Sequence, residues 1–131
     1  MKTELVYLVC VTLLTALMWI PYILDRLAVR GIPDTMGYPQ SPKPQSAWAQ
    51  RMLKAHANAV ENLVLFAPLV IILHLLNISN GLTITACVLY FSSRLAHAVI
   101  YTWGVPLFRT LSFLASWAGL IILVLSIFRI V

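Results

Sequence analysis

Long apolar runs separated by short polar clusters set the pattern of this chain. Three stretches carry no charged residue: Leu5–Leu24 over 20 residues, Asn62–Ser93 over 32 and Thr110–Phe128 over 19. A helix that crosses a bilayer needs about 20 apolar residues. The middle run is too long for one crossing, and it contains Asn77-Ile-Ser-Asn80-Gly81, a group of turn formers that ends one helix and begins another. The pattern predicts four helices, about 4–27, 47–77, 82–104 and 107–130. The runs are continuous rather than alternating, which argues against a membrane β-barrel. The first run is longer than the roughly 7–15 apolar residues of a signal peptide, and no clear small-residue cleavage site follows, so it reads as a retained helix.

Between the first and second helices, Asp25–Ser46 holds four prolines and two glycines and reads as extended and irregular, with a cytoplasmic loop over about 28–46. Ser46 stands at the N-cap position of the second helix. Pro68 predicts a bend within that helix. Gly104-Val-Pro106 separates the third helix from the fourth. Trp48 and Trp103 fall where an aromatic belt is expected on the cytoplasmic side.

Composition strengthens the membrane reading. The chain is 61% hydrophobic and only 10% charged, against about 25% charged in ordinary soluble domains. The fold class predicted is all-α, an integral membrane four-helix bundle, in one domain over residues 1–131. The net charge is +5. Arg26, Arg30, Lys43, Arg51 and Lys54 gather between the first two helices, whereas the turn between the second and third has no Lys or Arg. The positive-inside rule then places the long loop in the cytoplasm and both termini on the non-cytoplasmic side of a multi-pass protein. So few cations on water-exposed segments argue against nucleic-acid binding. Cys10 and Cys87 lie within helices, outside any CxxC pattern, and read as buried small side chains.

The polar residues of the second helix fall on one face. At about 100° per residue, taking Arg51 as zero, Lys54 falls near 300°, Asn58 near 340°, Glu61 near 280° and Asn62 near 20°. His56 falls near 140°, on the other side, where it is expected to bond a neighbouring helix. In the third helix Arg94, His97 and Tyr101, spaced i, i+3, i+7, share a face. At about 1.5 Å rise per residue from the intervening turn, Glu61 and His97 sit at similar depth, as do Asn58 and Tyr101. Arg109, at the start of the fourth helix, falls near the cytoplasmic boundary.

Ionisable groups at mid-membrane cost a few kcal/mol each. An Arg94–Glu61 ion pair would offset part of that cost and serve packing alone. Yet Arg51, Lys54, Arg94 and Arg109 outnumber the single acidic residue Glu61, a balance suited to an anionic guest that carries one positive group. The three histidines have no metal-ligand spacing, and no metal is expected. Ser92, Ser93, Ser112, Ser116 and Ser126 read as helix-packing residues, with Ser112 close enough to Arg109 to assist it.

The stretch "RMLKAHANAVEN" resembles R-x-x-R-A-H-x-N-x-x-E-N, a signature of the MAPEG family, the membrane-associated proteins of eicosanoid and glutathione metabolism. That family includes microsomal glutathione transferases, leukotriene C synthase and the microsomal prostaglandin E synthase. Arg94-x-x-His97-x-x-x-Tyr101, followed by Pro106-Leu-Phe-Arg109-Thr110, is similar to the family's third helix and the start of its fourth. The resemblance covers the whole chain. It implies a homotrimer with glutathione as co-substrate, bound in clefts between subunits that open to the cytoplasm, and a lipophilic second substrate entering from the membrane lipids between the first and fourth helices. By position it implies that Arg51, Lys54, Asn58 and Glu61 hold glutathione, that Arg94, His97 and Tyr101 line the cleft, and that Arg26 contacts the ligand. Arg109 matches the arginine that stabilises the thiolate, and Thr110 stands where some members have a serine.

The activity implied is a glutathione-dependent transferase or peroxidase. The alternative is a non-catalytic glutathione- or lipid-binding protein, because the fold also hosts a non-enzymatic arachidonate-binding relative. Lys54 replaces the arginine of the signature and loses its bidentate fork. Ala57 stands where some eicosanoid enzymes have arginine, and Phe113 where several members carry a tyrosine. The segment from Tyr101 to Arg109 is one residue shorter than in some animal members. These departures argue against eicosanoid synthesis.

Overall fold

A computed structural model describes residues 1–131 as five helices and no strand. They are α1 Thr3–Leu17, α2 Trp19–Met36, α3 Ala47–Leu75, α4 Gly81–Trp103 and α5 Pro106–Ile127. The pair α1–α2 forms one apolar segment, so four helical stretches are long and apolar enough to cross a membrane: Thr3–Met36, Ala47–Leu75, Gly81–Trp103 and Pro106–Ile127. The chain is a multi-pass integral membrane protein.

Three helices end by the same local device. Asn77 (φ 55), Gly104 (φ 79) and Arg129 (φ 57) take left-handed backbone. In each case the following N–H reaches back to a carbonyl of the last turn: Ile78 to Leu73, Val105 to Ile100 and Ile130 to Leu125. These bonds close the helix ends in Schellman fashion and satisfy carbonyls that would otherwise be stranded. The turn before α4 also builds a capping box. The Asn80 side chain accepts from the Leu82 and Thr83 N–H groups, and Thr83 Oγ1 accepts from the Asn80 N–H.

The structure departs from the expected organisation in the first connection. Helix continues to Met36 where irregular chain was expected, interrupted only at Gly31, whose φ of 75 and ψ of 173 are not helical. Pro33 follows the break, in the first turn of the new segment, where its missing N–H costs no bond. The remaining non-helical chain, 37–46, is docked by Gln45, which is buried. Gln45 Nε2 donates to the Tyr22 carbonyl at 2.6 Å, and Arg26 Nε donates to Gln45 Oε1 at 3.2 Å. Ser46 occupies the N-cap position of α3, but its side chain makes no capping bond. Its N–H instead donates to Asp25 Oδ2 at 3.0 Å, so the carboxylate ties the helix start to α2.

The core lies between α3, α4 and α5, with α1 packed on it. Phe66 and Tyr90 stack face to face, with centroids 3.9 Å apart and planes within 3°. Gly119 lets α5 approach α4 closely, since a Cβ there would sit 2.9 Å from the Ala86 carbonyl oxygen. Ser116 and Ser126 are buried and return their hydroxyls to their own helix, to Phe113 and Ile122 carbonyls. At the other end of the bundle Glu4, only 3% exposed, accepts from Thr83 Oγ1 at 2.6 Å and Ser79 Oγ at 3.1 Å. This buried carboxylate, which no motif announced, pins the N-terminus to the α3–α4 turn.

Candidate functional site

Three helices converge on a cavity of about 200 Å³ lined by Asn58, His97, Tyr101, Arg109, Thr110 and Phe113. Asn58 comes from the polar face of α3, and His97 and Tyr101 from successive turns of α4. The other three come from the first two turns of α5, which Pro106 starts directly after the Gly104 turn. The short connection thus brings Arg109 beside Tyr101: the guanidinium carbon lies 4.9 Å from the ring centroid. That is cation–π distance, and it holds the charge at the mouth of the cavity. Thr110 Oγ1 bonds back to the Pro106 carbonyl at 3.2 Å.

His97 is 3% exposed. Its Nδ1 lies 3.1 Å from the Arg109 carbonyl oxygen and 3.3 Å from Ser112 Oγ. A carbonyl can only accept, so Nδ1 carries the proton and Nε2 keeps a lone pair. The ring stands edge-on to Tyr101, with centroids 5.5 Å apart, and is tilted against Phe113 at 6.1 Å. Ser112, the packing serine nearest Arg109, donates its hydroxyl to the same carbonyl at 2.9 Å.

Arg94 is also 3% exposed, and it lies behind the cavity wall rather than in it. Its Nη2 donates to Asn58 Oδ1 at 2.8 Å. The ion pair with Glu61 considered from the sequence does not form. Glu61 is exposed on α3, whereas Arg94 turns inward to the amide. Asn62 donates to the Asn58 backbone carbonyl at 2.8 Å, so the asparagine is braced from two sides.

The remaining expected ligand residues lie elsewhere. Arg51 Nε donates to the Thr102 carbonyl at 2.8 Å and packs over Gly104, so it ties α3 to the C-terminus of α4, where a cation also meets the favourable end of the helix dipole. Arg26 serves the Gln45 loop clamp, away from the cavity. Lys54 and Glu61 are exposed on α3, about one turn to either side of Asn58. Of the ten residues singled out in the sequence, the structure brings Asn58, Arg94, His97, Tyr101, Arg109 and Thr110 together and leaves Arg26, Arg51, Lys54 and Glu61 outside the cavity.

His56, off the polar face, meets Tyr22 Oη through Nδ1 at 2.9 Å, the neighbouring-helix bond its angle predicts. Phe113 is the lining residue that polarity could not flag. Its ring pairs with Trp117 at 6.4 Å, and Trp117 begins an apolar groove of about 400 Å³ between α3 and α5. Val64, Leu65, Pro68, Leu120 and Val124 also line that groove. No cluster of three or more His, Cys, Asp or Glu side chains forms a metal site.

The arrangement offers an acceptor-rich guest one fixed cation, a phenol and an amide nitrogen, with an apolar groove beginning at the far side of Phe113. A family model described as the MAPEG family matches residues 4–129. No curated protein and no solved structure matches the chain.

Proposed function

The chain belongs to the MAPEG family, and from that premise we propose that it is a membrane-bound glutathione-dependent transferase or peroxidase. The observation that carries this reading is Arg109 held over Tyr101, beside Thr110 and Asn58, at the mouth of a cavity that leads towards an apolar groove. Glutathione is an anion with two carboxylates, one ammonium group and a thiol. Asn58 and Tyr101 can hydrogen-bond its peptide and carboxylate oxygens, and Arg109 can stabilise its sulfur as thiolate. An ordinary thiol of this type ionises at about pH 8.5. Each unit of lowering requires about 1.4 kcal/mol of preferential thiolate stabilisation. A guanidinium close to the sulfur supplies that preference through charge-assisted hydrogen bonding, and Thr110 joins it when its hydroxyl turns from the Pro106 carbonyl to the sulfur.

In the transfer reaction the sulfur lone pair forms a bond to an electrophilic carbon, and the leaving group departs with its bonding electrons. In the peroxidase reaction the thiolate attacks the terminal oxygen of a hydroperoxide, and a second glutathione completes reduction to alcohol, water and glutathione disulfide. A lipophilic second substrate drawn from the membrane lipids would reach the sulfur along the α3–α5 groove, whose continuity with Phe113 supports that route over one beside α1. Lys54 and Glu61, exposed on α3 near the cavity, have the charges to meet the carboxylate and ammonium of glutathione in a homotrimer, where a neighbouring subunit closes the cleft. In this reading the long loop and the cavity face the cytoplasm and both termini face away from it.

The apolar groove beside the cavity also favours a second reading, a non-catalytic binder of glutathione or of a lipid. One experiment separates the two. The purified protein is mixed with millimolar glutathione and followed for thiolate absorbance in the near ultraviolet, then given a chlorinated nitrobenzene or a lipid hydroperoxide. An enzyme forms thiolate and turns over, and Arg109→Ala abolishes both. Binding without turnover over a broad electrophile panel selects the non-catalytic reading, and failure to bind glutathione at all rejects the enzyme.

A further inference from the structure

A tier of buried polar side chains braces the cavity, Arg94 from behind its wall and His97 within it. Arg94 and His97, each 3% exposed, occupy successive turns of α4, and each reaches a residue of the wall: Arg94 the Asn58 amide and His97 the Arg109 carbonyl. A guanidinium has only donors, so the Asn58 atom that faces it must be the oxygen. That leaves the Asn58 amide nitrogen as the polar group available to a guest. On the other side, His97 Nδ1–H holds the backbone of the first α5 turn, the turn that carries Arg109 and Thr110.

The unpaired atoms of this tier indicate what surrounds it. Arg94 Nε and Nη1, His97 Nε2, Tyr90 Oη and Asn62 Oδ1 are all buried without a protein partner. Two bear donor hydrogens, His97 Nε2 and Asn62 Oδ1 are acceptors, and the tyrosine hydroxyl can act as either. Arg94 thus keeps two donors to spare, while Asn62 and His97 keep lone pairs. Water can donate to those and accept from Arg94, so the set suits interior water rather than a ligand group.

We propose that Arg94 and His97 are positioning residues: Arg94, behind the cavity wall, fixes the Asn58 amide so that it presents a donor, and His97, through its Nδ1–H, fixes the α5 turn that places Arg109. This rests on the glutathione reading for Arg94, but the His97 half can be read without any ligand.

Four single variants test it. Arg94→Gln keeps an amide donor for Asn58 Oδ1 and removes the charge, whereas Arg94→Met removes both. Losing one well-made hydrogen bond corresponds to about a tenfold change in affinity. Glutathione affinity of Arg94→Met is expected to fall about tenfold or more, with Arg94→Gln restoring it to within about threefold of wild type. Equal, large losses in both would mean that the charge acts on the guest directly, and wild-type affinity in Arg94→Met would mean that Asn58 needs no brace. Either result overturns the proposal.

His97→Asn can place an amide N–H where Nδ1–H stands, and His97→Gln places one nearer Nε2. Deuterium uptake over residues 106–112 of the ligand-free protein is expected to rise in His97→Gln and to stay near wild type in His97→Asn. Identical uptake in the two variants overturns the proposal. If wild-type protein binds no glutathione, the functional reading fails, and the exchange measurement alone decides the positioning tier.

Discussion

At the scale of single residues, a polar side chain's role here follows from what it can donate and from what already occupies it. Arg51, Arg94 and Arg109 carry the same group and do three different things. Arg51 bonds a helix-terminal carbonyl, Arg94 an asparagine amide, and only Arg109 lines the cavity. Three predictions belong at this scale. Arg109→Lys keeps the charge but loses the planar fork. It should retain part of the thiolate absorbance that Arg109→Ala abolishes, seen as a higher pH midpoint in an ultraviolet titration with glutathione. Asn58→Asp exchanges the donor that faces the cavity for a carboxylate oxygen. It should weaken glutathione binding by at least tenfold in calorimetry, because an acceptor then meets an anion. Glu61→Gln, by contrast, should lose selectivity for the free amino group, measured as a smaller difference between glutathione and its N-acetyl derivative.

At the scale of elements, close approach and helix ends decide where the side chains sit. The α4–α5 pair is tight because Gly119 admits the Ala86 carbonyl. Gly119→Ala would place a Cβ 2.9 Å from that oxygen and 3.3 Å from the Tyr90 Cβ. Over-packing of this kind costs about 1–3 kcal/mol. The expected result is a lower thermal midpoint in detergent and, because Tyr90 and Arg94 are neighbours on α4, weaker glutathione binding. The Glu4 clamp joins α1 to the α3–α4 turn far from the cavity. Glu4→Ala removes the carboxylate that accepts from Thr83 and Ser79 and leaves the Thr83 hydroxyl only the Asn80 carbonyl, a loss of about 1 kcal/mol or more. It should lower thermal stability while leaving the thiolate spectrum unchanged, which separates bundle stability from the site.

At the scale of the whole molecule, apolar surface and the charges Lys54 and Glu61 are what packing within one chain leaves exposed. Four apolar spans explain the exposed leucines and valines as surface that faces lipid. A homotrimer should appear in native mass spectrometry of the detergent-solubilised protein, and a monomer retaining full glutathione affinity would contradict the shared cleft. Topology is checked with single cysteines in a Cys10→Ser, Cys87→Ser background. A cysteine at Ser41 should label from the cytoplasmic side, and one at Ser79 only from the opposite side.

Much of this could be read along the chain. Continuous apolar runs fix the number of crossings, since outside a closed barrel, whose strands alternate, only a helix satisfies its backbone within lipid. The turns at Asn77–Gly81 and Gly104–Pro106 are local events, written in residues that tolerate left-handed backbone or end helices. The helical period placed Asn58, His97 and Tyr101 on facing stripes at matching depth, and these three do meet. What periodicity could not decide is which way a long side chain turns when several partners lie within reach. Arg51 and Lys54 share a stripe with Asn58, yet one caps α4 and the other remains exposed. Arg94 bonds the Asn58 amide while Glu61 stays exposed on α3, an outcome of helix packing that sequence spacing does not fix. The Glu4 clamp, the Gln45 dock and the aromatic wall at Phe113 join residues remote in the chain through tertiary contact. Local order thus followed from the sequence through backbone hydrogen bonding and the 3.6-residue period, whereas the assignment of polar partners awaited the packing of one helix against another.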